Sequence, residues 1–163
     1  MNYIKLLLHD ESGIAEMSQM ATEIVREHFD PLIGKEQNDY MINMFQTEEA
    51  IKKQITEGYQ YYFIRENDKN LGFVAFYKRE DALYLSKFYL YKSERGKGYS
   101  HRMLDFVVEK AKQLKVNGIE LNVNKKNSAC QAYESLGFKI LRSEKNSIGN
   151  GFYMDDYVYR LDV

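Results

Sequence analysis

An apolar strand, a glycine turn, an amphipathic helix and a second strand follow one another without a break between Ala82 and Val123. This order restricts the fold more than any other feature of the chain. Ala82–Tyr91 is apolar or aromatic at eight of its ten positions, the composition of a central strand covered on both faces. The helix that follows Ser100 points Met103, Leu104, Val107, Val108, Ala111 and Leu114 inward. Asn117 and Gly118 end it, and Ile119–Val123 reads as the next strand. A strand–helix–strand unit of this kind requires a parallel crossover. Just upstream, Tyr59–Arg65 and Leu71–Lys78 read as a hairpin, joined by the turn-forming Asn67, Asp68, Lys69 and Asn70. A parallel step inside otherwise antiparallel pairing predicts a mixed α/β sheet.

The rest of the chain extends this sheet. Tyr3–Leu8 reads as a strand, with Leu6, Leu7 and Leu8 as a buried run. Ser12 is the expected N-cap of a helix carrying Ile14, Met17, Met20, Ala21, Ile24, Val25 and Phe29, which Pro31 and Gly34 are expected to stop. Met41, Ile42, Met44 and Phe45 form a second apolar pattern. Thr47 then caps a helical stretch through Ile51 and Ile55, ended by Gly58. Beyond the crossover come a short helix at Asn127–Leu136 closed by Gly137, a strand at Phe138–Ser143, a turn marked by Gly149 and Gly151, and a last strand at Phe152–Leu161. That makes seven strands and four to five helices in one domain, residues 1–163.

Bulk properties narrow the function classes. The formal net charge is −1 and the pI about 6.3, so no overall basic field favours nucleic acid as a partner. No apolar stretch reaches the ~20 residues that span a bilayer, and the start of the sequence does not resemble a secretion signal. Cys130 is the only cysteine, which excludes an intramolecular disulfide and favours a reducing compartment; a cytoplasmic protein without a membrane partner is expected. His9, His28 and His101 are dispersed, and no Cys/His/Asp spacing matches a metal site.

Two short segments carry chemistry. Arg95, Gly96, Lys97, Gly98, Tyr99 and Ser100 lie between the buried strand and the helix. Unpaired amides and the dipole at a helix N-terminus attract phosphate, and glycines let the backbone curl around an anion. A plain strand-to-helix turn with solvated basic residues fits equally well. Neither a P-loop nor a G-x-G-x-x-G dinucleotide turn is present. The second segment runs from Asn127 to Phe138, with Asn127 at an expected N-cap, Tyr133 on the helix and Gly137 at its exit. Taken alone, Tyr133 is an ordinary helical tyrosine and Cys130 a small apolar filler.

Together the two segments resemble the GNAT superfamily of acyl-CoA-dependent N-acetyltransferases. Arg95, Gly96 and Gly98 match the family's Arg-Gly-x-Gly turn, whereas Ser100 stands where Gly or Ala is usual. Asn127, Tyr133, Gly137 and Phe138 match its downstream segment. The resemblance implies acetyl-CoA as co-substrate, its pyrophosphate gripped by Arg95, Gly96, Lys97, Gly98, Tyr99 and Ser100. It also implies a contact from Asn127, pantetheine bonded along Phe88, Tyr89 and Leu90 where the central parallel strands splay, and Tyr133 as general acid. Many relatives carry a Glu on the central strand; here the stretch reads Leu85, Ser86, Lys87, Phe88, which points to a base relayed through water. Metals are not implied, and a homodimer is, since relatives often form one.

The front segment and the last strands are most similar to PaiA-type bacterial polyamine acetyltransferases. That implies a small amine acceptor such as spermidine or spermine, met by Asp30, Tyr40, Asp155 and Asp156 through charge and cation–π contact. An acceptor at a peptide or protein N-terminus, or a catalytically silent CoA-binding regulatory module, is the alternative.

Overall fold

The structure is a computed structural model that describes residues 1–163. Its elements run β1 (Asn2–Lys5), α1 (Glu11–Ile33), α2 (Lys35–Phe45), α3 (Glu48–Thr56), β2 (Gln60–Glu66), β3 (Lys69–Arg79) and β4 (Ala82–Leu90). A 3-10 turn (Lys92–Glu94), α4 (Tyr99–Gln113), β5 (Gly118–Asn124), α5 (Ala129–Ser135), β6 (Lys139–Gly149) and β7 (Phe152–Asp162) complete the chain. The seven strands form one sheet in the order β1-β2-β3-β4-β5-β7-β6. Pairing is antiparallel for β1–β2, β2–β3, β5–β7 and β6–β7, and parallel for β4–β5. The expected mixed α/β sheet, with α4 as the parallel crossover, is therefore the architecture observed.

Two compact groups of residues divide the chain. One holds Met1–Tyr77 and Lys87–Lys97. Its core is one apolar stripe of α1 (Ile14, Met17, Met20, Ala21, Ile24) with Ile51 of α3, packed against Tyr61, Phe63, Phe73 and Ala75 of β2 and β3. The other holds Lys78–Ser86 and Gly98–Val163. There α4 buries Met103, Leu104, Val107 and Ala111, while Val108 and Leu114 stay half-exposed.

Several local expectations are corrected. The first strand ends at Lys5, short of Leu8. Leu6 is buried and still donates its N–H to Tyr61 O at 2.8 Å, but the chain then turns into α1 and leaves Leu7 exposed. Asp10, not Ser12, caps α1, its Oδ1 accepting from Gly13 N at 3.0 Å; Ser12 lies within the first turn. Pro31 does not stop α1. It forfeits one main-chain bond in the last turn, which a helix near its end tolerates, and the break falls at Gly34, whose φ is 88°. β6 runs to Gly149, well past Ser143, paired with β7 from Lys139↔Arg160 to Gly149↔Phe152. It is an edge strand exposed along nearly its whole length, so it lacks the apolar alternation that marks strands in a sequence.

Candidate active site

The glycine turn joins β4 to α4. Gly96 and Gly98 have φ of 77° and 81°, the left-handed region that costs any residue with a Cβ about 1–2 kcal/mol. Arg95, Gly96, Lys97 and Gly98 are all exposed. Gly98 is the N-cap of α4, with no side-chain cap bond, and no acidic residue stands in the first turn. An uncapped positive helix end behind a curled, open backbone fits an anion such as a diphosphate. Tyr99 and Ser100, half-buried, open the helix. Nothing crowds a Cβ at Gly98, so Gly98→Ala is expected to act by strain alone. It should cost about 1–2 kcal/mol of stability and weaken acetyl-CoA binding as the turn relaxes, which thermal melts and calorimetry would read.

The basic residues of the turn are less free than their sequence suggests. Lys97 Nζ lies 3.3 Å from Oε2 of Glu94, whose other oxygen accepts from Lys69 Nζ at 2.6 Å. Glu94 is buried, and Lys69 first, then Lys97, hold its carboxyl below the usual range. Arg95 donates to Leu90 O at 3.3 Å and approaches His28 Nδ1 at 3.4 Å. The segment before the turn is fastened to α1: Lys92 N donates to Glu27 Oε1 at 2.6 Å and Tyr91 Oη to Glu23 Oε2 at 2.8 Å. His101 is exposed on α4.

The three strand residues Phe88, Tyr89 and Leu90 lie at the end of β4. β4 pairs with β5 only across Ala82↔Gly118, Leu83↔Ile119 and Tyr84↔Glu120, whereas β5 stays paired with β7 as far as Asn124. The Tyr89 ring packs edge-on to Phe29 at 6.2 Å and beside Phe73 at 5.6 Å.

Asn127 is one residue ahead of its expected place, because Ser128 is the N-cap of α5. The amide still serves the helix start: its Oδ1 accepts from Ala129 N at 2.9 Å, and the residue is buried. Asn127→Ala should cost about 1 kcal/mol, measurable by denaturant unfolding. Tyr133 is half-buried on α5, its ring edge-on to Phe138 at 5.6 Å and tilted against Tyr159 at 6.4 Å. Cys130 Sγ contacts Asn124 O at 3.6 Å and hydrogen-bonds the Tyr159 side chain.

The four expected acceptor residues have the following surroundings, each within its own compact group. Asp30 accepts from Asn38 Nδ2 at 2.7 Å and lies 3.9 Å from Arg26, tying α1 to α2. Tyr40 is half-buried on α2. Asp155 and Asp156 are consecutive strand residues, so their side chains leave on opposite faces. Asp155 pairs with Lys125 at 3.1 Å. Asp156 is buried, 3.3 Å from Asn122 Nδ2, and burial pushes its carboxyl up.

One buried group escaped the sequence reading. Lys87 on β4 is 4% exposed, and burial pushes its ammonium down to about 7. The signal was visible as a lone lysine inside an apolar strand, but nothing in the sequence says what would surround it. No group of three or more His, Cys, Asp or Glu residues could hold a metal, and no helix is long and apolar enough to cross a membrane.

A family model described as "Acetyltransferase (GNAT) domain" matches residues 29–160, so the chain belongs to the GNAT acetyltransferase family, acyltransferases that use acetyl-CoA. The fold is similar to the PaiA N-acetyltransferase of Thermoplasma acidophilum in complex with coenzyme A, with TM-score 0.78, 14% identity and 100% of both chains covered. It is similar to a GCN5-related N-acetyltransferase from Rhodopseudomonas palustris, with TM-score 0.81, 12% identity and 99% and 95% covered. It is also similar to the ribosomal-protein-S18-alanine N-acetyltransferase from Escherichia coli, with TM-score 0.69, 16% identity and 99% and 94% covered. At these identities the likeness is one of fold. No curated protein is significantly similar to the chain in sequence.

Proposed function

We propose that this protein, as one domain across residues 1–163, transfers an acetyl group from acetyl-CoA to a primary amine of the polyamine class. The observation that carries the reading is the exposed glycine turn at the uncapped start of α4. In this reading Gly96, Gly98 and the first amides of α4 hold the diphosphate, and Arg95 adds charge. Lys97 contributes once it exchanges Glu94 for phosphate. The main chain of Phe88–Leu90, unpaired with β5, receives the pantetheine arm as an added strand would be received. The acceptor amine sheds its proton through water, since an alkylammonium near ~10.4 is not a nucleophile. A main-chain N–H polarises the thioester carbonyl, and Tyr133 donates a proton to the departing thiolate.

The resemblance of the front segment and last strands to PaiA-type polyamine enzymes supports the acceptor class, and the fold is shared with a PaiA N-acetyltransferase bound to coenzyme A. The paired carboxylates temper the charge argument: a polycation has to displace Lys125 from Asp155. A second reading, a peptide N-terminus as acceptor, is favoured by the likeness to the S18-alanine enzyme. The test measures acetyl-CoA affinity by calorimetry and CoA release with spermidine, spermine, aminoglycosides, amino acids and peptides. Fastest turnover on a polyamine supports the proposal, and faster turnover on another class overturns the acceptor. Tight donor binding without release on any amine indicates a regulatory module.

A further inference from the structure

Lys87 extends from the central strand into a pocket of neutral oxygen atoms. Its Nζ lies 2.7 Å from Phe45 O at the end of α2, 2.9 Å from Gln46 Oε1 and 3.2 Å from Gln54 Oε1 on α3. It also hydrogen-bonds the hydroxyl of Tyr61 on β2, which contacts Gln54 Oε1 in turn. Gln46 is further tied down where its main-chain O accepts from Ser18 Oγ of α1 at 2.7 Å. Lys87 forms no ion pair. The titratable groups at the cluster are Tyr61 and, beside its ring, Tyr59 and Tyr89; the polar contacts from α2, the junction and α3 are one carbonyl and two amide oxygens, and α1 reaches Gln46 through the Ser18 hydroxyl. One side chain thus joins β4 to the end of α2, the junction residue and α3.

We propose that Lys87 is a positioning residue for the acceptor amine, a pin that holds the α2–α3 corner against the central strand. This rests on the polyamine N-acetyltransferase reading, in which Asp30 of α1 and Tyr40 of α2 meet the acceptor. An uncharged lysine meets the cluster well: two N–H groups donate to Phe45 O and Gln46 Oε1, and its lone pair or Gln54 takes the Tyr61 proton. A neutral pin also leaves a cationic acceptor unrepelled. A charged lysine with no anion beside it is costly in such a place. The sign follows from linkage. The closed corner holds Lys87 with a pKa of about 7, while an opened, hydrated corner restores the ordinary 10.5. Opening therefore takes up a proton between those values, and the corner closes more firmly as pH rises through that window.

The experiment compares wild type with Lys87→Met, and with Gln46→Ala as a milder second variant that loses only one arm of the pin. Hydrogen exchange of the 45–54 amides, corrected for intrinsic rate, is read at pH 7 and 9. Steady-state KM for spermidine and calorimetric acetyl-CoA affinity are read alongside. In the wild type, protection at the corner should rise by up to about tenfold per pH unit, and in Lys87→Met it should be lower and flat. Lys87→Met should raise the spermidine KM about tenfold at pH 9, less at pH 7, with acetyl-CoA affinity within a factor of two. Gln46→Ala should shift both readouts the same way by a smaller factor. Corner exchange unchanged in either folded variant overturns the pin. Faster exchange with an unchanged spermidine KM, or with both substrates weakened alike, overturns the acceptor role and leaves a structural one. Wild-type protein that binds no acetyl-CoA sinks the enzymatic reading and the acceptor role with it, whatever the exchange shows.

Discussion

Turnover of a Tyr133→Phe protein is expected to fall about a hundredfold, at the low end of what a general acid supplies, with acetyl-CoA affinity within a factor of two of wild type. The substitution removes one oxygen and keeps the ring that packs on Phe138 and Tyr159, so the aromatic packing of α5 is retained. A hundredfold corresponds to about 2.7 kcal/mol of barrier, more than the roughly 0.5–1.5 kcal/mol that a typical hydrogen bond contributes to folding. Single-turnover CoA release and calorimetry separate the two effects. A kcat within threefold of wild type removes the Tyr133 hydroxyl from the mechanism, and lost donor affinity assigns it to binding instead.

Gly72→Ala should destabilise the protein more than either Gly98→Ala or Asn127→Ala. A Cβ built on Gly72 would stand 2.0 Å from Tyr89 O and 2.9 Å from both Leu90 Cα and Tyr89 C. All three are backbone atoms of the neighbouring strand, so no rotamer change relieves the contact. β3 and β4 have to separate at the stretch where β4 carries Phe88, Tyr89 and Leu90. Overpacking of this kind costs about 3 kcal/mol or more, roughly a 10 °C fall in Tm for a chain of this size. Donor affinity should fall with it, since the displaced main chain is the segment assigned to pantetheine. Calorimetric melting checks the first effect and acetyl-CoA titration the second; a Tm within about 2 °C of wild type, under 1 kcal/mol at this chain length, would show that the strands have slack there.

Residue pattern alone determined the order of elements, the parallel crossover and the glycine turn at the head of α4. Each is written locally: in the apolar run of Ala82–Tyr91, in the helical spacing of Met103, Leu104, Val107 and Ala111, and in glycines whose positive φ the turn requires. The same local logic misled at Ser12, since Asp10 two residues earlier offers a stronger acceptor to Gly13, and at β6, whose exposed edge bears no apolar signature. Tertiary structure alone decided which charges are available. Glu94 is met by Lys69 from 25 positions earlier, Asp155 by Lys125, and Lys87 is enclosed by oxygens from α2, α3 and β2. The reason is physical. Propensity and periodicity are set by near neighbours in the chain, whereas ion pairing and desolvation are set by groups that only folding brings together; Phe45 and Lys87 meet across 42 positions.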